Sequence, residues 1–450
     1  MSGDVHVRFC ESLGVKFPRA THPSRFLLII AALLLLIVAA LVFFQVIDEY
    51  SADEIPSLIA DLAVVDDRQI ERGRYLALAG NCASCHTAGS DGFMAGGVAF
   101  ETPFGRIYST NITPDAITGI GNWTVQQFFA SMRHGVRPDG EHLYPVFPYT
   151  AFTKVSDEDI VALFAYLKSI PAIAQEASQN ELSFPFNQRS LMSVWKAMFF
   201  DAGAYKEDDA ESAEWNRGAY IVKALAHCGA CHSPRNLLGA ERPDMAMAGG
   251  VYTDKVPSGN MRPWSAPNLT SAPSGLGLWP HEDVAAYLKT GINSRVATFG
   301  PMNEVILNSS RHLSDADVNA MAVYLKSLPA KQANFKATAS NKVLGMGRTL
   351  YNLHCGTCHL PTGLGDVESA PRLAGGSLVV QSSNPASLIN VILDGPEMPD
   401  PPLATRWRKP MQDFRYLLDD QEIAALASYL RNTWGNTGGE VTANQVAEQR

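Results

Sequence analysis

Three copies of one short motif, C-x-x-C-H, constrain the possible fold of this chain more than any other sequence feature. In each copy two residues separate the cysteines, and a histidine follows at once. The copies use six of the seven cysteines: Cys82, Cys85 and His86, then Cys228, Cys231 and His232, then Cys355, Cys358 and His359. This spacing is typical of covalent haem attachment, in which both thiols add to the porphyrin vinyl groups and the adjacent histidine ligates the iron. We therefore expect three covalently bound haem c groups, with each iron held by the histidine of its motif.

Two other uses of paired cysteines fit the chain less well. A thioredoxin-like redox site needs no following histidine and lies near a βαβ pattern. A zinc ribbon needs two C-x-x-C pairs about 15–20 residues apart, and the pairs here are separated by much longer stretches. Cys10 lies outside all three motifs and is assigned no role.

An unbroken apolar run extends from Phe26 to Phe44 near the N-terminus. As a helix it would be about 28 Å long, which matches the hydrocarbon core of a bilayer. Basic residues precede the run and acidic residues follow it. The positive-inside rule therefore predicts a cytoplasmic tail over residues 1–25, a transmembrane anchor over 26–46, and export of the remaining chain. A cleaved signal peptide is the alternative, because Ala39-Ala40 offers small residues for cleavage, but the run is longer than a usual signal core.

A longer unit repeats around the three motifs. An amphipathic stretch with a glycine and an aromatic residue precedes each motif: Ile70 to Leu78, Trp215 to Leu225, and Val343 to Leu353. A turn follows each motif: Thr110-Asn111-Ile112, Pro267-Asn268-Leu269, and Pro371-Arg372-Leu373. Each unit closes with a helical apolar pattern that begins at an acidic cap and stops at proline or glycine: Ile160 to Ile170, Val318 to Leu328, and Ile423 to Trp434.

These repeats predict a mainly α fold, with three tandem cytochrome c-like domains after one N-terminal transmembrane helix. The expected domain boundaries are 66–172, 206–332 and 333–436. In each domain a first helix leads into the attachment site, a closing helix packs across it, and a mostly irregular stretch wraps the haem. We expect 173–205 and 333–340 to be connectors, and the polar tail after Asn436 to be frayed.

A haem that only passes electrons usually has two strong axial ligands, and a methionine opposite the histidine raises its potential. The second repeat offers Met302 in Gly300-Pro301-Met302, and the third offers Met411 in Lys409-Pro410-Met411, with Met398 as a weaker rival. Core packing is the alternative role for any single methionine. The position of Met302 and Met411 just ahead of a closing helix favours iron ligation.

The first repeat departs from this pattern. Phe147 stands where a methionine is expected, and phenylalanine cannot ligate iron. The first haem is then five-coordinate, or the loop is shifted, or a substitute residue ligates the iron. The candidate substitutes are Met94, Met132, His134 and His142. A lone histidine or methionine more often has a structural role.

Taken together, these features resemble the three-haem cytochrome c subunits of bacterial membrane-bound dehydrogenases. Further matching stretches are Thr102-Pro103-Phe104-Gly105, Tyr108 to Asp115, Ser212 to Gly218 leading into Cys228 to Asn236, and the connector Pro185-Phe186-Asn187 with Arg189 and Leu191-Met192. The resemblance extends from about residue 66 to 436. Members of this family accompany flavin sugar and gluconate dehydrogenases, quinone-cofactor alcohol dehydrogenases, and molybdenum hydroxylases for aldehydes or N-heterocycles.

The resemblance implies that a catalytic dehydrogenase subunit passes electrons to the haems, which deliver them to ubiquinone or to another respiratory acceptor such as a terminal oxidase. Members that accompany molybdenum hydroxylases more often carry phenylalanine at the position of Phe147. A molybdenum hydroxylase is therefore slightly favoured as the partner over a flavin or quinone enzyme. The resemblance also implies a single-pass protein of the inner (cytoplasmic) membrane, with its soluble domains facing the periplasm. The retained anchor departs from many flavin-linked members, which have a cleaved signal instead.

Two classes of function follow from the sequence. The formal net charge of -9 argues against a nucleic-acid partner, because no cationic field could neutralise phosphates. The sequence has no dinucleotide-binding turn, P-loop, metalloprotease motif or nucleophile elbow. These observations favour a non-catalytic electron-transfer subunit of an oxidoreductase complex. The alternative is a haem enzyme whose open first haem binds peroxide or another small ligand.

Overall fold

The structure is a computed structural model that describes residues 28–35, 37–38, 66–89, 92–256, 259–331, 338–366, 369–396 and 411–450. The chain divides into two compact units, residues 1–51 and 52–450, and the second unit contains all three motifs. In the first unit, residues 28–35 and 37–38 are helical. Among the described residues no helix is both long and apolar enough to span a bilayer. Most of the predicted anchor, 26–46, lies outside the described residues.

The first repeat combines helices with a small antiparallel sheet. Its helices are α1 (Asp67–Ala79), α2 (Cys82–His86), α3 (Val125–His134), α4 (Tyr149–Phe152) and α5 (Asp157–Ser169). Strands β1 (Ala99–Thr102) and β2 (Gly105–Tyr108) form a hairpin between α2 and α3. Strand β3 (Glu181–Leu182) follows α5 in the chain and pairs with β2, with Leu182 opposite Gly105.

The segment 173–205, which we expected to be a plain connector, contains regular structure. Besides β3 it forms helix α6 (Leu191–Phe199), on which Trp195 and Lys196 are buried. The Lys196 ammonium donates hydrogen bonds to the carbonyl oxygens of His134 and Gly135 at 2.7 and 3.1 Å. These carbonyls lie at the C-terminal end of α3, where a cation is stabilising. The connector is therefore part of the first repeat's packing, although it lies between two repeats in the sequence.

The second repeat has the same order of elements. Its helices are α7 (Ala213–Tyr220), which continues as a π-helical turn (Ile221–Leu225), α8 (Gly229–His232), α9 (His281–Thr290), α10 (Met302–Asn308) and α11 (Asp315–Ser327). Strands β4 (Gly250–Lys255) and β5 (Met261–Ala266) form an antiparallel hairpin with Gly250 opposite Ala266. Short 3₁₀ turns cover Pro243–Met245, Leu276–Leu278 and Ser310–His312. These hairpins are the regular strands within stretches that are otherwise mostly irregular, as expected between each motif and its closing helix.

The regular elements in the described part of the third repeat are all helices. Its helices are α12 (Asn341–His354), α13 (Gly356–His359), α14 (Leu378–Gln381), α15 (Ala386–Asp394), α16 (Asp420–Arg431) and α17 (Ala443–Ala447). Helix α17 packs against α16, and Val441 and Val446 are buried. The expectation of a frayed tail after Asn436 was therefore wrong. Two buried valines and the Ser428 hydroxyl, which accepts from the Val441 amide at 2.9 Å, hold the tail on the domain.

The first helix of each repeat crosses the closing helix at a glycine. A Cβ atom added at these glycines would lie 2.5–2.6 Å from atoms of the closing helix: the carbonyl carbon of Ala162 for Gly73, that of Ala320 for Gly218, and the Cβ of Tyr429 for Gly347. No larger residue fits at such a separation without displacing backbone. The glycine in each amphipathic stretch is thus explained by a close helix crossing.

The three closing helices begin at the predicted caps. The side chains of Ser156, Ser314 and Asp419 accept hydrogen bonds from the backbone amides of Asp159, Asp317 and Glu422, respectively. Such a bond satisfies one of the amides that the first turn of a helix leaves unpaired. The prediction of α5, α11 and α16 from their capping residues is confirmed.

The buried apolar side chains form two large clusters. The first and second repeats share one cluster, which includes Leu76, Val161, Val222 and Leu325. The third repeat has a separate cluster around Ile389 and Leu426. A shared apolar core makes separation of its two halves costly, because each would expose apolar surface at about 25 cal/mol per Å². The first two repeats are therefore joined more tightly than independent tandem domains would be.

Candidate haem-binding sites

Each C-x-x-C-H motif lies at the end of the first helix of its repeat, on a short helical turn. Residues three apart on a helix lie on the same face, so both thiols of a motif point to the same side. Burial raises the pKa of the Cys82, Cys228 and Cys355 thiols to about 12. A raised thiol pKa disfavours the thiolate that a zinc ligand or a redox-active cysteine uses. Among the described residues, no group of three or more His, Cys, Asp or Glu side chains could hold a metal ion by itself.

The histidine of each motif donates a hydrogen bond from its Nδ1 atom to a backbone carbonyl oxygen. The three pairs are His86 with Thr110 at 2.7 Å, His232 with Pro267 at 2.8 Å, and His359 with Pro371 at 2.8 Å. A carbonyl oxygen can only accept, so Nδ1 carries the proton and Nε2 keeps its lone pair. This is the arrangement that a metal-ligating histidine needs, because the second hydrogen bond fixes both the tautomer and the ring orientation. Burial also lowers the pKa of all three imidazoles, which favours their neutral form.

The turns that supply these carbonyls were recognised in the sequence, but their contact with the histidines was not. In the first two repeats an asparagine fixes the turn. The Asn111 side chain accepts from the Thr113 amide and donates to the Ile173 carbonyl, at 2.9 and 2.7 Å. Asn268 makes the same pair of bonds, to Thr270 and Lys331, at 2.8 and 2.7 Å. The equivalent turn of the third repeat has Arg372, whose amide donates to the Arg295 carbonyl of the second repeat at 3.2 Å.

A glycine after each motif lies beside the same turn, and sequence reasoning missed it. The amides of Gly96, Gly249 and Gly365 donate to the carbonyls of His86, His232 and His359, respectively, at 2.7–3.0 Å. All three glycines have positive φ angles, of 79°, 97° and 64°. Only glycine adopts this conformation readily. A glycine that follows each motif histidine could have indicated this contact in the sequence. The number of residues between the histidine and the glycine varies, which obscured the pattern.

The candidate sixth ligands precede the closing helix of their repeats in the sequence. Met302 begins α10 and is partly buried against the core shared by the first two repeats. Met411 is partly buried against the core of the third repeat. Its rival Met398 lies outside the described residues. Thioether sulfur from either residue is a suitable soft ligand for haem iron opposite an imidazole.

Phe147 occupies the position in the first repeat that Met302 occupies in the second. The Leu143 amide donates to the Gly135 carbonyl at 2.8 Å, and the Thr298 amide donates to the Gly291 carbonyl at 2.7 Å. Phe147 and Met302 each come four residues after the donor of this bond. Both side chains also pack against the same shared core. The loop is therefore not shifted, and phenylalanine stands where the second repeat has Met302, its candidate sulfur ligand.

Two of the proposed substitutes for this methionine are accounted for by other contacts. Met94 matches Met247 of the second repeat: both are buried with a φ of 61°, and their carbonyls accept from the amides of Ile112 and Leu269 at 2.9 and 2.8 Å. The Ile112 and Leu269 amides lie two residues after the carbonyls that accept from the motif histidines. Met94 therefore lies on the same side of the site as His86. His142 Nδ1 accepts from the Lys196 ammonium at 2.8 Å, which leaves the proton of the neutral ring on Nε2.

The other two proposed substitutes, Met132 and His134, lie on helix α3. Met132 is buried in the shared core three residues before Gly135, at the position that Leu288 fills before Gly291 in the second repeat. Since leucine cannot ligate iron, the equivalence favours a packing role for Met132. His134 is the last residue of α3, and its carbonyl accepts from Lys196.

The fold and the three motifs define a c-type cytochrome: residues 70–171 and 346–434 match the cytochrome c family. The chain is 43% identical over 372 residues to a nicotinate dehydrogenase subunit of Pseudomonas putida, in an alignment that covers 81% of this chain and 30% of that protein. It is 38% identical to the fructose dehydrogenase cytochrome subunit of Gluconobacter japonicus, covering 85% of this chain and 82% of the relative. It is 36% identical to the gluconate 2-dehydrogenase cytochrome c subunit of Pantoea cypripedii, covering 86% and 90%.

This chain thus spans less than a third of the length of the nicotinate dehydrogenase relative and most of the length of the other two relatives. It belongs to the family of cytochrome c subunits of dehydrogenases, which are electron-transfer proteins with covalently bound haem c. The donor set on each motif fits that group: two thiols on one face of a helical turn, and an imidazole whose Nε2 is free to ligate iron.

Proposed function

We propose that the chain holds three haem c groups, one on each motif, and transfers electrons between a catalytic dehydrogenase subunit and a respiratory acceptor. One observation supports three sites above all others. The bond from histidine Nδ1 to a turn carbonyl recurs at 2.7–2.8 Å in all three repeats, including the second, which the cytochrome c family match does not cover. Bound haem c supplies one-electron redox chemistry. The protein's own residues anchor it, orient its iron ligand and surround it with apolar side chains.

We propose His86, His232 and His359 as the proximal ligands, and Met302 and Met411 as the sixth ligands of the second and third haems. The neutral imidazoles and the partly buried thioethers support this assignment. Phe147 stands at the position of Met302 in the first repeat and cannot ligate iron, so we propose that the first haem would be five-coordinate. Without a methionine its potential should be the lowest of the three, because a methionine ligand raises the potential of its haem.

The proposed electron donor is a membrane-bound dehydrogenase, and the proposed acceptor is ubiquinone or a terminal oxidase. The relatives' names support a dehydrogenase partner, since three different dehydrogenases have subunits of this family. The nicotinate dehydrogenase relative, at 43% identity, supports a molybdenum hydroxylase acting on an N-heterocycle over a flavin or quinone enzyme. Phenylalanine at position 147 supports the same choice.

We also propose that residues 26–46 anchor the protein in the inner membrane, with the haem domains in the periplasm. The apolar run, the basic residues before it and the acidic residues after it support this topology. Haem attachment on the exported side of the membrane is consistent with it.

The number of haems can be tested directly on purified protein. Expression with haem-loading machinery should give a denatured mass that exceeds the polypeptide by three haems, and a pyridine haemochrome assay should give three haems per chain. The Cys355→Ala/Cys358→Ala variant should lose one haem in both measurements, whereas Cys10→Ala should lose none. A wild-type value of two haems would refute the proposal for one repeat, and the paired-cysteine variants of each motif would identify it.

A second candidate function is supported by Phe147 alone. An open coordination position on the first iron would allow a small ligand such as peroxide to bind. Carbon monoxide binding to the reduced protein, at one site per chain, would establish that the position is open. Peroxidase turnover that a Phe147→Met variant loses would favour the haem-enzyme function, and carbon monoxide binding without turnover would favour electron transfer alone.

A further inference from the structure

Two clusters of arginine, aspartate and tyrosine, each built around a buried aspartate, join the first and second repeats. In one cluster, the Asp159 carboxylate on α5 accepts from Arg72 Nε of its own repeat at 2.5 Å. It also accepts from the hydroxyl of Tyr220, in the second repeat, at 2.6 Å. The Ser156 amide completes the cluster by donating to the Tyr220 hydroxyl at 3.1 Å. The Asp159 side chain is only 2% exposed, so these bonds replace nearly all of its hydration.

The second cluster repeats the first with the roles of the two repeats exchanged. The Asp317 carboxylate on α11 accepts two bonds from Arg217 of its own repeat, each at 2.7 Å. It also accepts from the hydroxyl of Tyr75, in the first repeat, at 2.6 Å. The Ser314 amide donates to the Tyr75 hydroxyl at 3.0 Å. Each tyrosine thus reaches across to the aspartate of the other repeat, which is the contact pattern of a twofold-symmetric interface.

The third repeat lacks this pairing. In the alignment set by the crossing glycines, Gly73, Gly218 and Gly347, the arginine position is Met346 and the tyrosine position is Thr349. The aspartate position, three residues after the helix cap, is Glu422. The separate apolar core of the third repeat agrees with this difference. The interface is therefore a property of the first two repeats and not of the repeat in general.

The same interface brings the segment before the closing helix of each repeat, which contains Phe147 or Met302, against the C-x-x-C-H motif of the other repeat. Helix α10 begins at Met302 and ends at Asn308, whose side chain donates to the Ser84 hydroxyl at 2.9 Å. Ser84 lies between the two cysteines of the first motif. In the other direction, the Phe152 ring lies 5.3 Å from the ring of His227, the residue before Cys228. These two contacts fix the relative position of the two motifs. The tyrosine–aspartate clusters hold the two repeats together and so keep the contacts in place.

We propose that Tyr75 and Tyr220 are positioning residues for electron exchange between the first two haem sites, whose repeats they join directly. This inference depends on the proposed function, because it requires haem on both motifs. The physical reason is that electron exchange depends steeply on separation. The two charge-assisted contacts lie side by side, with the Arg217 guanidinium 5.7 Å from the centre of the Tyr220 ring, and together they resist separation of the two repeats. A hydrogen bond to a charged group is stronger than a neutral one, and losing one partner leaves a buried carboxylate poorly satisfied.

The test uses the full-length, haem-loaded protein with the substitutions Tyr75→Phe and Tyr220→Phe, singly and together. Thr349→Val is the matched control, because it removes a hydroxyl at the equivalent position of the third repeat, where the side chain is exposed. Hydrogen exchange is measured for the peptides that contain Ser156 and Ser314, whose amides donate to the two tyrosines. Electron redistribution is measured after flash photoreduction, by the absorbance of the haems.

In Tyr75→Phe we expect the Ser314 amide to exchange about tenfold faster, the factor that corresponds to one lost hydrogen bond to a charged group. Tyr220→Phe should do the same for Ser156. In the double variant, redistribution between the first two haems should lose its single fast phase and gain a slower one, with haem content and optical spectra unchanged. Thr349→Val should change neither measurement.

The inference is overturned if the double variant keeps three haems and redistributes electrons with wild-type kinetics. A wild-type protein with fewer than three haems would instead refute the proposed function, so the two failures are distinguishable. Tyr75→Phe alone is the second variant if the double variant does not load haem. Faster exchange at Ser314 together with wild-type redistribution in this single variant would also overturn the inference.

Discussion

The crossing of α12 and α16 in the third repeat makes a sharp prediction, because two glycines of α12 have opposite surroundings. A Cβ added at Gly347 would lie 2.6 Å from the Cβ of Tyr429 and would also overlap the backbone of Ala425. A Cβ added at Gly345, two residues earlier on the same helix, would have no neighbour within 4 Å. Alanine at the two positions therefore tests the close crossing with helix propensity held constant.

The magnitudes follow from two terms. Replacing glycine by alanine inside an exposed helix stabilises the helix by about 1 kcal/mol, and this gain is common to both variants. At Gly347 the added atom must also push α16 away from α12, and overpacking of this kind costs up to about 3 kcal/mol. We therefore expect Gly345→Ala to stabilise the third repeat by about 1 kcal/mol and Gly347→Ala to destabilise it by about 2 kcal/mol.

The assay is hydrogen exchange of peptides from α12 and α16. A chain with more than one core does not have a single well-defined free energy of unfolding, whereas local exchange reports the opening of the third repeat itself. A difference of about 3 kcal/mol corresponds to exchange about a hundredfold faster in Gly347→Ala than in Gly345→Ala. Equal protection of the two variants would show that the helices do not cross at Gly347, and the explanation of all three crossing glycines would fail with it.

Three further predictions concern the ligand loop, the interface and a helix cap. Phe147→Met should make the first haem low-spin, raise its potential and abolish carbon monoxide binding, and Phe147→Leu should do none of these. Burial acts to raise the pKa of Asp317, but bonds from Arg217 and Tyr75 outweigh it and lower the pKa overall. Exchange protection at Ser314 should therefore be full above the ordinary value of 3.8 and be lost as the pH falls through the lowered pKa, and Asp317→Asn should remove this dependence. Ser156→Ala should destabilise the first turn of α5 by about 1 kcal/mol, measured as faster exchange there.

Sequence reasoning identified the helices that carry strong local signals. The capping residues and stop residues of α5, α11 and α16 are encoded within a few positions of each other, so their helices could be predicted without knowing the fold. Position in the repeat also identified Phe147 as the counterpart of Met302. The tail was predicted wrongly because it has only two buried apolar side chains, Val441 and Val446, while polar contacts such as the Arg450–Asp420 ion pair also hold it on the domain.

Contacts between distant residues could not be predicted in this way. Tyr75 and Asp317 are 242 residues apart, and nothing near either residue specifies the other. Lys196 lies in a segment without repeated features, so its bonds to the end of α3 depend on a docked helix that the sequence does not announce. The bonds between the motif histidines and the turn carbonyls could be predicted only in part. The turns are visible in the sequence, but in the first two repeats their orientation depends on hairpins with short strands.

The paired interface explains how two similar repeats could perform different roles. The first two repeats share a core, crossing glycines and reciprocal tyrosine contacts, so their scaffolds position the two motifs alike. They differ where one has Phe147 and the other Met302, and ligand identity is a strong determinant of haem potential. If haem binds as proposed, the pair combines a fixed separation with a potential difference, and electrons would preferentially rest on the second haem. Reversing the ligands, with Phe147→Met and Met302→Phe together, should reverse the order in which the two haems are reduced, and an unchanged order would show that the scaffold and not the ligand sets the potentials.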